Sequence, residues 1–103
     1  MKNIQDKIRD FVGKHNLNHS PEISTLDLLS ELGEVSKEIL KSTDYGKKSF
    51  VPTEDLKLET GDTFYSFICL ANALNIDLEE ALNLVLEKYE KRLRGSGQAG
   101  SGR

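Results

Sequence analysis

Residues 20–40, SPEISTLDLLSELGEVSKEIL, decide the fold class of this chain. Leu26, Leu29, Leu32, Val35, Ile39 and Leu40 recur at helical spacing with charged residues between them, as in a helix that buries one stripe. The start is marked as well: Ser20 can cap, and Pro21 fits the first turn, where its missing N–H costs nothing. The same period continues outward. Residues 3–15 place Ile4, Ile8, Phe11 and Val12 on one helical face. Residues 42–52, STDYGKKSFVP, read as a loop from their Gly, Pro and small polar residues. A third helix is predicted from its cap Thr53, with Glu54 and Asp55 at its positive end, to about Leu74, and Asn75 suits a left-handed stop. Asp77 and Glu80 form a capping-box-like pair opening a fourth helix, which is expected to bury Leu78, Leu82, Val85, Leu86 and Tyr89. No comparable segment alternates with period two, so the predicted class is all-α with four helices.

The 103 residues suffice for one domain. Residues 1–94 are read as that helical domain. Residues 95–103, GSGQAGSGR, are read as a flexible tail, because they hold too little apolar surface to offset the entropy of ordering them. With 17 acids against 14 bases, the net charge of −3 excludes a general nucleic-acid binder, which needs a basic surface to displace counterions. No apolar run approaches the roughly 20 residues that cross a bilayer, and MKNIQDKIRD lacks a signal peptide's apolar block. A cytoplasmic protein with no membrane partner is therefore expected. The single Cys69 excludes an internal disulfide, and its run, FICLANAL, suggests a buried thiol. Four helices in so short a chain make a thin core, which a second copy would supplement.

The acid excess has a pattern. Glu31-Leu32-Gly33-Glu34 and Glu59-Thr60-Gly61-Asp62 share the form Glu-x-Gly-acid. Residues three apart lie on one helix face, so each helix presents a forked pair of carboxylates. Each glycine removes a side chain beside its pair and allows close approach of a helix or a substrate. Leu28, Leu32 and Val35 border the first pair; Phe64, Tyr65, Phe67, Ile68 and Leu70 follow the second. Acids so placed repel one another and lose solvation unless cations neutralise them. All-oxygen ligands suit Mg²⁺ or Mn²⁺ rather than Zn²⁺. The competing reading is a solvated face with salt bridges, and spacing alone leaves both open.

Several basic residues are open in the same way. Lys37 and Lys41 can meet phosphates or pair with Glu34 and Glu38. Lys88, Lys91, Arg92 and Arg94 can contact phosphate or simply complement the negative end of their helix. His15 and His19 are too few for a zinc site. No glycine-rich phosphate loop is present, so phosphate binding would rest on metal and basic side chains.

Together these stretches resemble a known family. Glu31-x-x-Glu34, a 24-residue interval, then Glu59-x-x-Asp62 looks like the signature of MazG-like all-α nucleoside triphosphate pyrophosphohydrolases. His19-Ser20-Pro21-Glu22, Glu59-Thr60-Gly61-Asp62-Thr63-Phe64-Tyr65 and the run from Leu70 to Leu82 are similar to further family segments. The resemblance covers nearly all of the chain before the tail. It implies Mg²⁺-dependent hydrolysis of a nucleoside triphosphate to the monophosphate and pyrophosphate, in nucleotide-pool housecleaning. It implies that Glu31, Glu34, Glu59 and Asp62 are the catalytic metal ligands, and that homodimers or homotetramers complete the bundle and the site. Lys37, Lys88 and Arg92 are the candidate substrate contacts. The chain departs from the family at Thr60 and Thr63, where aliphatic residues are usual, and at Ser30, where many members carry an acid. Tyr89 follows Lys88 where many have Asn, and there is no Trp, leaving Tyr45, Phe50 or Tyr65 to stack a base. These departures keep a second reading open: a catalytically inactive helical nucleotide-binding or oligomerisation protein.

Overall fold

The computed structural model describes residues 2–96, which form four helices: α1 (Lys2–Lys14), α2 (Pro21–Ser42), α3 (Glu54–Ala73) and α4 (Leu78–Ser96). No strand occurs among the described residues. The chain is all-α. The fourth helix continues through Gly95 and Ser96, two residues into the stretch read as a tail, and the rest of that stretch lies outside the described residues.

The predicted caps form. The Ser20 hydroxyl accepts from the Ile23 N–H at 3.3 Å, and the Thr53 hydroxyl from that of Leu56 at 3.1 Å. Asp77 accepts from the Glu80 N–H at 3.1 Å. Asn75 takes the left-handed conformation, φ 55°, and the Ile76 N–H reaches back to the Ala71 carbonyl at 2.9 Å. The first two helices end by the same device. Asn16 is left-handed with Leu17 bonding to Val12 at 2.9 Å, and Tyr45 bonds to Leu40 at 2.7 Å past left-handed Asp44. Such six-to-one closures satisfy carbonyls that a helix end leaves orphaned.

The second and third helices pack against each other as an antiparallel hairpin, and the first lies on the third. Ile68 is fully buried at their centre, with Val12 and Ala71 beside it. Small polar residues complete this contact: Ser24 and Ser66 are buried, and their size lets the helices approach closely.

The fourth helix corrects an expectation. Leu82 and Leu86 are 52% and 54% exposed, not buried, and Leu78, Val85 and Tyr89 are half-buried. The reason is topological: α4 leaves the α3 turn without packing extensively on any other helix, so the described residues cover its apolar stripe only in part. Leu26, Leu29 and Leu32 of α2 are likewise exposed. The thin core inferred from chain length is evident.

A polar cluster ties the start of α4 to α1. The buried Gln5 side chain accepts from the Leu78 N–H at 2.9 Å and donates to the Ile76 carbonyl at 2.8 Å and to Asn72 Oδ1 at 3.0 Å. Asn72 returns a bond to the Gln5 carbonyl at 3.1 Å.

Candidate metal centre and adjoining cavity

Because α2 and α3 run antiparallel, the middle of one lies beside the first half of the other. This register brings Glu31, Glu59 and Asp62 together, with one carboxylate oxygen of each lying within 4.8 Å of the other two. Glu31 and Glu59 are half-buried, and Asp62 is exposed. Glu34 lies outside this trio, yet its charge reaches Glu59. The Glu59 carboxyl is pushed above its ordinary range, first by lost solvation and then by the negative charges of Asp62, Glu34, Glu31 and Glu38. Lost solvation and neighbouring like charges both disfavour the ionised form of a carboxyl so placed.

The donor set is all oxygen, and no His or Cys joins it among the described residues. Three convergent carboxylates fit a hard cation such as Mg²⁺ or Mn²⁺. Ideal Cβ atoms built at Gly33 and Gly61 meet nothing within 4 Å, so the space beside both acid pairs is open in the single chain.

The basic candidates lie elsewhere. Lys37 is exposed on α2 and forms no ion pair among the described residues, whereas Lys41 pairs with Glu38 at 3.3 Å. Lys88 sits over its neighbour's ring, 5.0 Å from the Tyr89 centroid. Together with Arg92 it lines a shallow recess on α4, where Glu87 is the one acid and none of the four motif acids takes part.

Next to the trio the three packed helices enclose a cavity of about 360 Å³. Ile8, Val12 and Leu17 supply apolar wall, and Arg9, Asp27 and Tyr65 supply polar or aromatic groups. Asp27 is one turn before Glu31 on α2, and Tyr65 one turn after Asp62 on α3, so the cavity begins roughly 6 Å along the helix axes from the acids. Cys69 lines it too and is half-buried, more open than its apolar run suggests. The Tyr65 and Cys69 side chains hydrogen-bond to each other.

The sequence reading did not single out Arg9, Asp27 or Asn72. A signal was present for Gln5, which shares the face of Ile8 and Val12 at spacings of three and seven, a polar residue on an apolar stripe.

An all-α hairpin with a Glu31–Glu59–Asp62 cluster defines a class of helical proteins with a carboxylate site beside a ligand-sized cavity. Comparison gives the family. The MazG nucleotide pyrophosphohydrolase domain matches residues 19–95, and the chain belongs to that family. It is 36% identical over 96 residues to the uncharacterised protein YpjD of Bacillus subtilis strain 168, covering 89% of this chain and 85% of YpjD. Among solved structures it resembles that of YpjD from Bacillus subtilis, with TM-score 0.74, 34% identity, and 89% and 94% of the two chains covered. It also resembles the Bacillus-conserved MazG protein, a nucleotide pyrophosphohydrolase, with TM-score 0.71, 32% identity, and 85% and 86% covered.

Proposed function

We propose that this chain is a Mg²⁺-dependent nucleoside triphosphate pyrophosphohydrolase releasing a nucleoside monophosphate and pyrophosphate. The observation that carries the reading is the convergence of Glu31, Glu59 and Asp62 within 4.8 Å. These three, with Glu34 completing the set from the next positions on α2, would hold divalent cation. A cation bound there supplies charge neutralisation of the triphosphate and activation of water. The carboxylates fix its position, and the cavity one turn away takes the nucleoside, whose base packs against Tyr65. Its volume lies within the range of small-molecule sites.

The basic residues Lys37, Lys88 and Arg92 are proposed phosphate contacts. Lys88 and Arg92 would reach a site only across an interface between copies, because α4 is not packed on the acid-bearing helices of its own chain. A homodimer or homotetramer therefore belongs to the proposal, and the exposed α4 leucines support it. No helix among the described residues is long and apolar enough to cross a membrane. A cytoplasmic housecleaning role completes the reading.

The test is a panel of nucleoside triphosphates with Mg²⁺ and pyrophosphate detection, run beside Glu59→Gln and Asp62→Asn. Turnover by the unaltered chain and its loss in both variants, with helical content retained, is the expected result. Nucleotide binding without turnover by the unaltered chain would instead favour an inactive binding protein.

A further inference from the structure

Arg9 of α1 and Asp27 of α2 line the same cavity, and no ion pair joins them. The Arg9 guanidinium donates to Asp6 Oδ1, outside the cavity, at 2.7 Å and to Asn72 Oδ1, on the cavity wall, at 3.1 Å. A guanidinium has five N–H donors, so these bonds leave donors for the cavity. Asp27 has no ion pair among the described residues, and its charge is felt by Cys69 on the cavity wall. The cavity thus carries a cationic donor on one wall and an anionic acceptor on another, with space between them.

We infer that this cavity selects guanine nucleotides, Asp27 accepting from the base's N1–H and N2–H and Arg9 donating to its O6 and N7. The inference rests on the proposed pyrophosphohydrolase reading for the placement of the nucleoside, and adds the identity of the base. The chemistry separates guanine from the other bases. A carboxylate presents two acceptors side by side, and guanine alone presents two adjacent donors to meet them. In adenine and cytosine the amino group adjoins a ring-nitrogen acceptor, which sets lone pair against lone pair. In uracil and thymine the one ring N–H lies between two carbonyls, with the same result. Arg paired to guanine O6 and N7 is the commonest base-specific contact of that side chain. Misplaced acceptors against a fixed carboxylate carry strong discrimination, because the site's polar groups are then left unpaired.

The experiment is calorimetric titration of the full chain, stripped of metal, with GMP, AMP, CMP and UMP. GMP is expected to bind at least about tenfold more tightly than each of the others. Asp27→Asn should remove that preference, lowering GMP affinity about tenfold or more while leaving AMP unchanged, and Asp27→Glu, which keeps the charge, should retain part of it. Asp27 is exposed, lies inside α2 and caps no helix, so thermal melts should match for all three chains. Equal affinities, absence of GMP binding, or an Asp27→Asn chain with intact GMP preference would overturn the inference. Hydrolysis of all triphosphates at equal rates would overturn the guanine selection while leaving the pyrophosphohydrolase. GMP-selective binding with no turnover on any triphosphate would support the selection and remove the enzyme reading instead.

Discussion

The Gln5 side-chain carbonyl accepts the Leu78 N–H at 2.9 Å, so a residue of the first helix satisfies a free donor at the start of the fourth. Gln5 also bonds Ile76 and Asn72, and at 4% exposure it has no water to fall back on. Gln5→Leu keeps the approximate volume and strands the Leu78 N–H and the Ile76 carbonyl. Leaving buried polar groups unpaired costs roughly 1–3 kcal/mol each, so a loss of about 2–6 kcal/mol is expected for the two. Urea denaturation followed by circular dichroism reads it, and a loss below about 0.5 kcal/mol would mean that water replaces the side chain.

The helices were legible because their signals are local. Ser20, Thr53, Asn75 and Asp77 each act within one turn of where they stand, and all four do what their residue types suggest. The acid pairs were legible because three-residue spacing fixes a helix face. Which acids meet across helices was not, because that depends on register: Glu31 joins Glu59 and Asp62, while Glu34, one turn on, lies outside their trio. The burial of Leu82 and Leu86 was misread for a related reason. Periodicity shows that a helix has an apolar stripe, but not whether its own chain covers it. Arg9 and Asp27 carry no local signal, because only the packing of three helices places them on one cavity.

The acid cluster should make stability depend on pH and metal together. Lost solvation, then Asp62, Glu34, Glu31 and Glu38, raise the Glu59 carboxyl, so the folded metal-free chain holds this proton more tightly than the unfolded chain. Folded chain therefore binds more protons between the ordinary carboxyl range and the raised value. That contribution to stability is present at the acid side of the window and is lost as pH rises through it. Melts in chelator should show this decline, and Glu59→Gln should abolish it. Mg²⁺ favours the deprotonated cluster, so at neutral pH it should stabilise the unaltered chain by about 2.7 kcal/mol at a hundredfold excess over Kd. Glu59→Gln should lose most of that gain.

Gly33 and Gly61 sit inside helices, where Gly costs roughly 0.5–1 kcal/mol relative to Ala. Each has open space where a Cβ would stand, so packing within the chain does not require them. Gly33→Ala and Gly61→Ala should each stabilise the fold by about that amount while lowering pyrophosphate release. The pairing of gain and loss is the informative result, read by thermal melts and turnover on the same samples. Gain in stability with unchanged turnover would show that nothing approaches the acids from that side.

Cys69 reports on the cavity. Burial and the charge of Asp27 push its thiol above the ordinary value, and the hydrogen bond with Tyr65 partly offsets them. Tyr65, Asp27, His19 and Arg9 are the titratable groups that share its cavity. Alkylation at neutral pH should therefore be slower than for a free cysteine. Tyr65→Phe should slow it further and Asp27→Asn should speed it, each by less than about tenfold, a factor that corresponds to one unit of thiol pKa. Rates measured across pH separate this electrostatic effect from simple access, which would change the plateau at high pH and not the midpoint.

The fourth helix gives the oligomer prediction its physical basis. Leu82, Leu86 and Leu93 follow one stripe, each more than half exposed, and Leu26 and Leu29 of α2 are exposed further still. Covering a leucine is worth roughly 1.5–3 kcal/mol, so a partner that covers several of these gains enough to offset a large part of the entropy of association. The chain should then be dimeric or larger in sedimentation at micromolar concentration, with a Tm that rises with protein concentration. Leu82→Glu with Leu86→Glu places two charges on the stripe beside no group of this chain that needs them apolar. The double variant should keep its helical content, sediment as a smaller species and lose the concentration dependence. If Lys88 and Arg92 serve a neighbouring copy's acid site, turnover per chain must fall in parallel with dissociation, although neither Glu replaces a residue of the site. Full turnover by a dissociated variant would leave those two bases without a substrate to hold and return the whole site to a single chain.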